Sequence, residues 1–248
     1  MKPFRADAVR APRSGGDEGR VYFVTGTGTG VGKTVLSAWW TAWLRHRGVR
    51  VRAVKPLASG GRADARRLQQ AQGGEVTLDA VNPWWFRAAL TPLVAARREG
   101  RRVERDEVLA FLGAARQGTD VLVVEGAGGV LSPLGEGWDA RDLIIALEAI
   151  PVVVAANRLG VLNEVRLTLE ALPARFAHRT SVALMEPARP GVVARTNAEL
   201  IEAWYGPGRV TRFPWVEGVA GLEPSKWPAG LRRAMAGWAG NGGKERLP

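Results

Sequence analysis

The stretch Val21-Tyr-Phe-Val-Thr25-Gly26-Thr-Gly-Thr-Gly-Val-Gly-Lys33-Thr34 decides the fold. Val21 to Thr25 is a short apolar run with a turn-rich loop behind it, the pattern of a buried strand. In the loop, glycine stands at positions 26, 28, 30 and 32, so the backbone can curl until successive N–H groups point at one anion. From Lys33 to Arg47, Leu36, Trp39, Trp40, Trp43 and Leu44 recur at helical spacing, and Gly48 closes the helix. The positive end of that helix faces the loop, so a phosphate group is the expected occupant. In this arrangement Lys33 reaches the β- and γ-phosphates and the Thr34 hydroxyl ligates Mg²⁺. The common motif has four residues between its first glycine and Gly-Lys. Here Thr27 stands at that first position and Gly26 leaves five, so the match is to a loop one residue longer. A glycine-rich turn that happens to precede Lys-Thr is the rival reading, and it gives no reason for the flanking strand and helix.

Working outward, Val49 to Val54 reads as the next strand, and helices are expected over 63–72 and 105–117. Val121 to Val124 is a bare apolar strand run. Asp139 is placed to cap a helix through Ala149, and Pro151 to Ala156 is again strand-like. Helix 163–176, strand 181–185, helix 196–204 and strand 209–213 complete the alternation. A weak helix from Pro228 to Trp238 lies in a tail with a frayed end. Strands spaced by helices predict a single α/β domain, a mostly parallel sheet with helices on both faces. Residues 1–20, polar and rich in Gly and Arg, read as a disordered leader preceding the domain at 21–248. The tryptophans of the first helix read as core rather than as a ligand box.

Composition narrows the chemistry. Cysteine is absent and the only histidines, His46 and His178, stand alone, which excludes disulfides, thiolate chemistry and a histidine-built metal centre. No apolar run is long enough for a membrane span and no signal peptide is apparent, so a cytoplasmic protein without a membrane partner is expected. The net charge of +11 invites a nucleic-acid reading. However, the arginines are spread along the chain, and the densest group, Arg97, Arg98, Arg101, Arg102 and Arg105, reads as a solvated helix face. No nucleic-acid partner is expected. Lysine is scarce, at Lys2, Lys33, Lys55, Lys226 and Lys244. A lysine in so arginine-rich a chain points to a need for a compact, rotatable ammonium.

Two strand ends attract attention on that ground. Lys55-Pro-Leu-Ala-Ser59-Gly60 follows the second strand, where parallel sheets bind ligands, and Lys55 can there neutralise a transferring phosphoryl group. By itself it is also an ordinary strand exit. Asp64 opens the next helix, as an N-terminal carboxylate, an arginine partner or a metal ligand. Glu125-Gly-Ala-Gly-Gly129 ends the third strand, and a carboxylate there, opposite Thr34, suits a Mg²⁺ site built from Thr34, Asp64 and Glu125. A turn-stabilising carboxylate is the alternative for Glu125.

The phosphate loop, Lys55-Pro-Leu-Ala-Ser-Gly60, Val81-Asn-Pro83, Val124-Glu-Gly-Ala-Gly-Gly129 and Leu159-Gly-Val-Leu-Asn163 occur in the order and spacing of the dethiobiotin synthetase family. The chain resembles that family, a branch of the P-loop NTPase superfamily, from about Val21 to Trp215. The resemblance implies an ATP- and Mg²⁺-dependent ligase of biotin biosynthesis. It would add CO₂ to 7,8-diaminononanoate, phosphorylate the resulting carbamate, and close the cyclic urea of dethiobiotin. It implies catalytic roles for Lys33 and Lys55, and a nucleotide site of Gly30, Val31, Gly32, Lys33, Thr34, Val35, Asp64, Glu125, Gly126, Ala127, Gly128, Met185, Phe213, Pro214 and Trp215. Thr29 and Ser59 match positions near the diamine and carbamate. The family is a homodimer, and Gly160, Val161, Leu162 and Asn163 match the helix start that meets the substrate carboxylate of the partner subunit.

Two departures stand out. Gly30 replaces a residue that is often acidic in the family, and Met185 falls where an adenine-reading asparagine is expected. A thioether cannot offer the paired donor and acceptor of an amide, so weak discrimination among nucleoside triphosphates is expected. The competing readings are another P-loop carbon–nitrogen ligase, a partition or positioning ATPase, and an inactive relative. The first ordinarily carries a glutaminase domain, for which this length leaves no room. The second ordinarily has an extra lysine early in the loop, where Thr27, Gly28 and Thr29 stand. Intact Lys33, Lys55 and Glu125 argue against the third.

Overall fold

A computed structural model describes residues 19–217 and 222–241. The expected leader lies outside these residues except at its end, where Arg20 already belongs to the first strand. In chain order the elements begin with β1 (Arg20–Gly26), α1 (Lys33–His46), β2 (Val51–Val54), β3 (Leu57–Ser59) and α2 (Ala63–Ala71). There follow α3 (Leu78–Val81), β4 (Trp84–Phe86), α4 (Pro92–Arg98), α5 (Arg105–Arg116) and β5 (Val121–Glu125). Next come β6 (Pro133–Gly135), β7 (Trp138–Asp139), α6 (Ala140–Ala146), β8 (Ile150–Ala156) and α7 (Val161–Glu170). The chain continues through α8 (Ala174–Ala177), β9 (Ser181–Met185), α9 (Val192–Tyr205), β10 (Val210–Phe213), a 3₁₀ turn (Pro224–Lys226) and α10 (Ala229–Asn241).

The central sheet has six strands in the order β10-β9-β8-β1-β5-β2, all parallel. Because both faces are covered, its strands are apolar on both sides and alternate between two cores. Tyr22 and Val24 of β1 join α1, α2 and α10 on one face. Val21 and Phe23 face the opposite side, with α5, α6 and α8, and beyond them β8 and β9 pack on α7 and α9. This is the expected architecture, a P-loop NTPase fold.

Several boundaries differ from those the sequence predicts, each for a local reason. The helix expected over 163–176 starts at Val161 and is broken into α7 and α8 at Pro173, which caps the second piece and has no N–H to continue the first. The helix expected to reach Ala149 stops at Ala146. Asp139 does form its capping box, but Glu148 takes a positive φ of 47° and turns the chain into β8. The helix expected over 196–204 begins at Val192, immediately after Pro190 and Gly191. The small sheets β3-β4 and β6-β7 and the helices α3 and α4 are not predicted; each is too short to show a period.

The weak helix expected over 228–238 is present as α10, Ala229–Asn241. Leu231, Met235 and Trp238 of α10 are buried in the core beside α1, so the helix is an integral part of the fold. Trp238 sits edge-on to Trp40 at 5.7 Å and to Phe213 at 5.5 Å, and Trp227 stacks on Trp43 at 6.2 Å. The tryptophans of α1 are core residues, as expected. The end beyond Asn241 lies outside the described residues. The basic group around α4 is largely ion-paired: Arg97 with Glu136, Arg101 with Glu99, Arg102 with Glu104, and Arg105 with Asp106. No described helix is long and apolar enough to cross a membrane.

Candidate active site

Register brings the site together. β5 lies between β1 and β2, with Val24 paired to Glu125 and Val54 to Val124. Glu125 is therefore the last residue of the strand flanked by the phosphate loop and by Lys55. Its Oε1 accepts hydrogen bonds from Thr34 Oγ1 at 2.6 Å and from Lys55 Nζ at 2.7 Å. Asp64 Oδ2, from the first turn of α2, lies 3.2 Å from the same ammonium. Lys55 also donates to the Gly126 carbonyl at 3.4 Å. Lys33 Nζ donates to the Gly28 carbonyl across the loop at 2.7 Å.

Burial sets the electrostatics. Glu125 is wholly buried and Lys55 is 5% exposed. Burial acts to lower the Lys55 amine, but Glu125 and Asp64 outweigh it and hold the group above its ordinary value. Lys33 has no such contact, and burial, followed by the nearby Lys55 charge, lowers it to about 8. Glu125 Oε2 is buried and accepts no hydrogen bond, an oxygen that ordinarily demands a partner. Among the described residues, no cluster of three acids or imidazoles stands ready to hold a metal. The oxygen donors gathered here are two carboxylates and the Thr34 hydroxyl.

The remaining predicted positions fall around this centre. Thr29 and Gly30 are exposed on the loop, Val31 is buried beneath it, and Val35 is half-buried on α1. Gly32 adopts φ of 103°, and the Met185 side chain lies 2.8 Å from where a Cβ would stand. Only glycine fits there, and Met185 is thereby placed on the loop itself. Gly126 is buried, and Ala127 and Gly128 are half-buried beyond it. Ser59, the last residue of β3, turns its hydroxyl to the Leu90 carbonyl beyond β4. Gly160, in the left-handed region, begins α7; Val161 is buried, Leu162 half-buried and Asn163 exposed. Phe213 is fully buried against Trp238, so its side chain belongs to the core and cannot itself line a base; Pro214 is half-buried and Trp215 is 61% exposed.

Some relevant residues carry no sequence signal. Thr27 Oγ1 donates to Glu164 Oε2 at 3.2 Å, tying the phosphate loop to the first turn of α7, and Arg158 holds the other oxygen at 2.7 Å. Glu186, Asn157 and Asn197 form a buried network behind Met185, which Arg212 joins. Neither pattern has a spacing that periodicity could reveal.

Comparison with known proteins places the chain in a family. A family model described as an AAA domain matches residues 20–222. A protein of Bacillus licheniformis described as an ATP-dependent dethiobiotin synthetase is 34% identical over 196 residues, 75% of this chain and 81% of that one. One of the same description from Anaeromyxobacter dehalogenans is 42% identical over 160 residues, 63% of this chain and 72% of its own. The chain belongs to the dethiobiotin synthetase family. A third member, from Akkermansia muciniphila, is 38% identical over 156 residues, covering 63% of this chain and 73% of the relative. As a dethiobiotin synthetase family member the chain is an enzyme, and Lys33, Thr34, Lys55 and Glu125 lie within the matched family model.

Proposed function

We propose that the chain uses Mg·ATP to close a cyclic urea on 7,8-diaminononanoate. One amine nitrogen adds CO₂ and loses a proton to give a carbamate. The carbamate oxygen displaces ADP from the γ-phosphorus, forming a carbamic–phosphoric anhydride. The second amine attacks the carbonyl carbon, phosphate leaves, and dethiobiotin results. The observation that carries the reading is the convergence of Thr34 and Lys55 on Glu125, with Asp64 on the same Lys55 ammonium, at the ends of three parallel strands beside Lys33. Phosphoryl transfer needs positioning and charge neutralisation more than covalent chemistry, and these groups supply both.

Mg²⁺ fits this donor set. Glu125 Oε2 lacks a partner, and the oxygens of Glu125 and Asp64 already flank one cation, the Lys55 ammonium. Thr34, Asp64 and Glu125 would hold the ion, which when bound neutralises charge on the phosphates. Lys33 and Lys55 then bear on the transferring phosphoryl group. Thr29 and Ser59 serve the diamine side, and Met185, Pro214 and Trp215 the base side.

A homodimer in the cytoplasm completes the reading, with Gly160 to Asn163 receiving the partner's substrate carboxylate. Leu159 and Leu167, 81% and 62% exposed on either side of that helix start, are apolar surface suited to a second copy. Product analysis is the test: purified protein, bicarbonate, Mg²⁺, ATP and diaminononanoate yield the cyclic urea by mass, with equal ADP and phosphate. ATP consumption without that mass would overturn the assignment.

A further inference from the structure

We infer that Asn82, a residue to which no role attaches, is the positioning residue for Lys55. The inference rests on the catalytic role proposed above for Lys55. Asn82 is wholly buried, so its amide must find partners within the protein. Nδ2 donates to the Lys55 carbonyl at 2.7 Å and to the Pro56 carbonyl at 3.1 Å, the two residues that link β2 to β3. The adjacent Val81 carbonyl accepts the Lys55 N–H at 2.9 Å. Both backbone groups of Lys55 are thus fixed by one dipeptide, 26–27 residues downstream.

The acceptor side of Asn82 reaches the other half of the ion pair. Arg62 Nε donates to Asn82 Oδ1 at 3.2 Å and Arg62 Nη2 to the Asn82 carbonyl at 2.7 Å. Arg62 caps α2, and Asp64, the exposed carboxylate on the Lys55 ammonium, is the second residue of that helix. Asp79, two residues into α3, holds Arg62 at 2.7 Å from the other side. One buried amide therefore sets where the ammonium emerges and where its Asp64 partner stands. Glu125, Asp64 and the Gly126 carbonyl hold the ammonium directly, but β2 is only four residues long and Lys55 lies just beyond it, so the clamp supplies the main-chain anchor from which the flexible stem reaches them.

Two variants and two readouts test this. Asn82→Ser removes the side-chain amide of the clamp and leaves its main-chain contacts, Val81 to Lys55 and Arg62 to the carbonyl of residue 82; Arg62→Gln removes only the Asp64 arm and serves should the first fold poorly. At a temperature where each variant is folded, the rate of acetylation of individual lysines by acetic anhydride is followed by mass spectrometry. Lys33 is as deeply buried as Lys55 but has no link to Asn82, so it is the internal control. In both variants Lys55 acetylation should rise by about tenfold or more, well above any change at Lys33, which senses Lys55 only through its charge. Equal rises, or none, would overturn the inference. In the synthetase assay, kcat should fall by about 100-fold in Asn82→Ser, well beyond any change in the Mg·nucleotide Kd that a displaced Asp64 brings, since small misplacements act on the transition state. Loss of both in proportion to the unfolded fraction would mark a purely structural residue. A wild-type protein that makes no cyclic urea would sink the functional reading alone, because the lysine footprint is read without turnover.

Discussion

Lys55 Nζ and Glu125 Oε1 lie 2.7 Å apart at the ends of two parallel strands whose preceding residues, Val54 and Val124, are a register pair. The pair is buried on both sides, so its strength comes from register and low dielectric together, and each partner is costly without the other.

Lys55→Ala therefore has two expected effects. Turnover falls by about two to three orders of magnitude, because a preorganised charge on the transition state is lost. Stability falls by about 3–5 kcal/mol, because truncating one partner leaves the other buried and uncompensated. An exposed lysine would be removable without harm to the fold, but Lys55 is buried and ion-paired. Denaturant titration and steady-state kinetics on the same preparation separate the two effects. Unchanged kcat removes Lys55 from the mechanism.

Glu125→Gln probes the metal role without emptying the site. The amide oxygen can still accept from Thr34, but the ligand charge drops, and ligand charge sets affinity for a hard cation. The Mg²⁺ concentration for half-maximal rate should rise by at least about tenfold, with much of the rate recovered at saturation. An unaltered Mg²⁺ titration would exclude Glu125 as a ligand.

The fold was legible in sequence wherever an element was long enough to show a period or apolar enough to be a buried strand. β1, β5, β9 and α1 are of that kind, and the three motif-bearing strand ends came with them. Elements set by tertiary contact were not. Asn82 stands in a quoted motif, yet nothing local says that its amide serves Lys55, because that contact is made across 27 residues. Phe213 illustrates the converse: a residue matched to the nucleotide site is taken by the core, since α10 brings Trp238 onto it. α10 itself has the ordinary apolar spacing of a surface helix, and its docking is set by the indoles of α1 together with Phe213 of β10.

Trp238→Ala should for that reason destabilise the whole domain. The ring is 5% exposed and touches both Trp40, on the helix of the phosphate loop, and Phe213, at the end of β10. Truncation of such an aromatic typically costs about 3–5 kcal/mol, as lost burial plus a cavity. For a domain of this size the melting temperature should drop by roughly 6–20 °C. A change under about 1 kcal/mol, the level of an ordinary surface substitution, would show that α10 is not part of the cooperative core.

Met185 decides the last prediction, which concerns the base. Its side chain lies on Gly32, and its main-chain carbonyl is fixed by the Asn157 N–H at 2.9 Å, so the thioether is held beside the loop. Trp215 and Pro214 offer further apolar surface on the following strand exit. A base held by such groups is gripped by packing, which every base satisfies, and the thioether reads no Watson–Crick edge. We therefore expect kcat/KM for ATP, CTP and GTP to agree within about threefold, the spread that packing without a donor–acceptor pair permits. Met185→Asn introduces a smaller side chain at a position with room for it, and restores one donor and one acceptor. Discrimination in favour of ATP should then rise by about tenfold or more, the worth of a good bidentate contact. Competition assays with the three nucleotides on both proteins decide it. Strong ATP selectivity in the wild type would mean that another group reads the base.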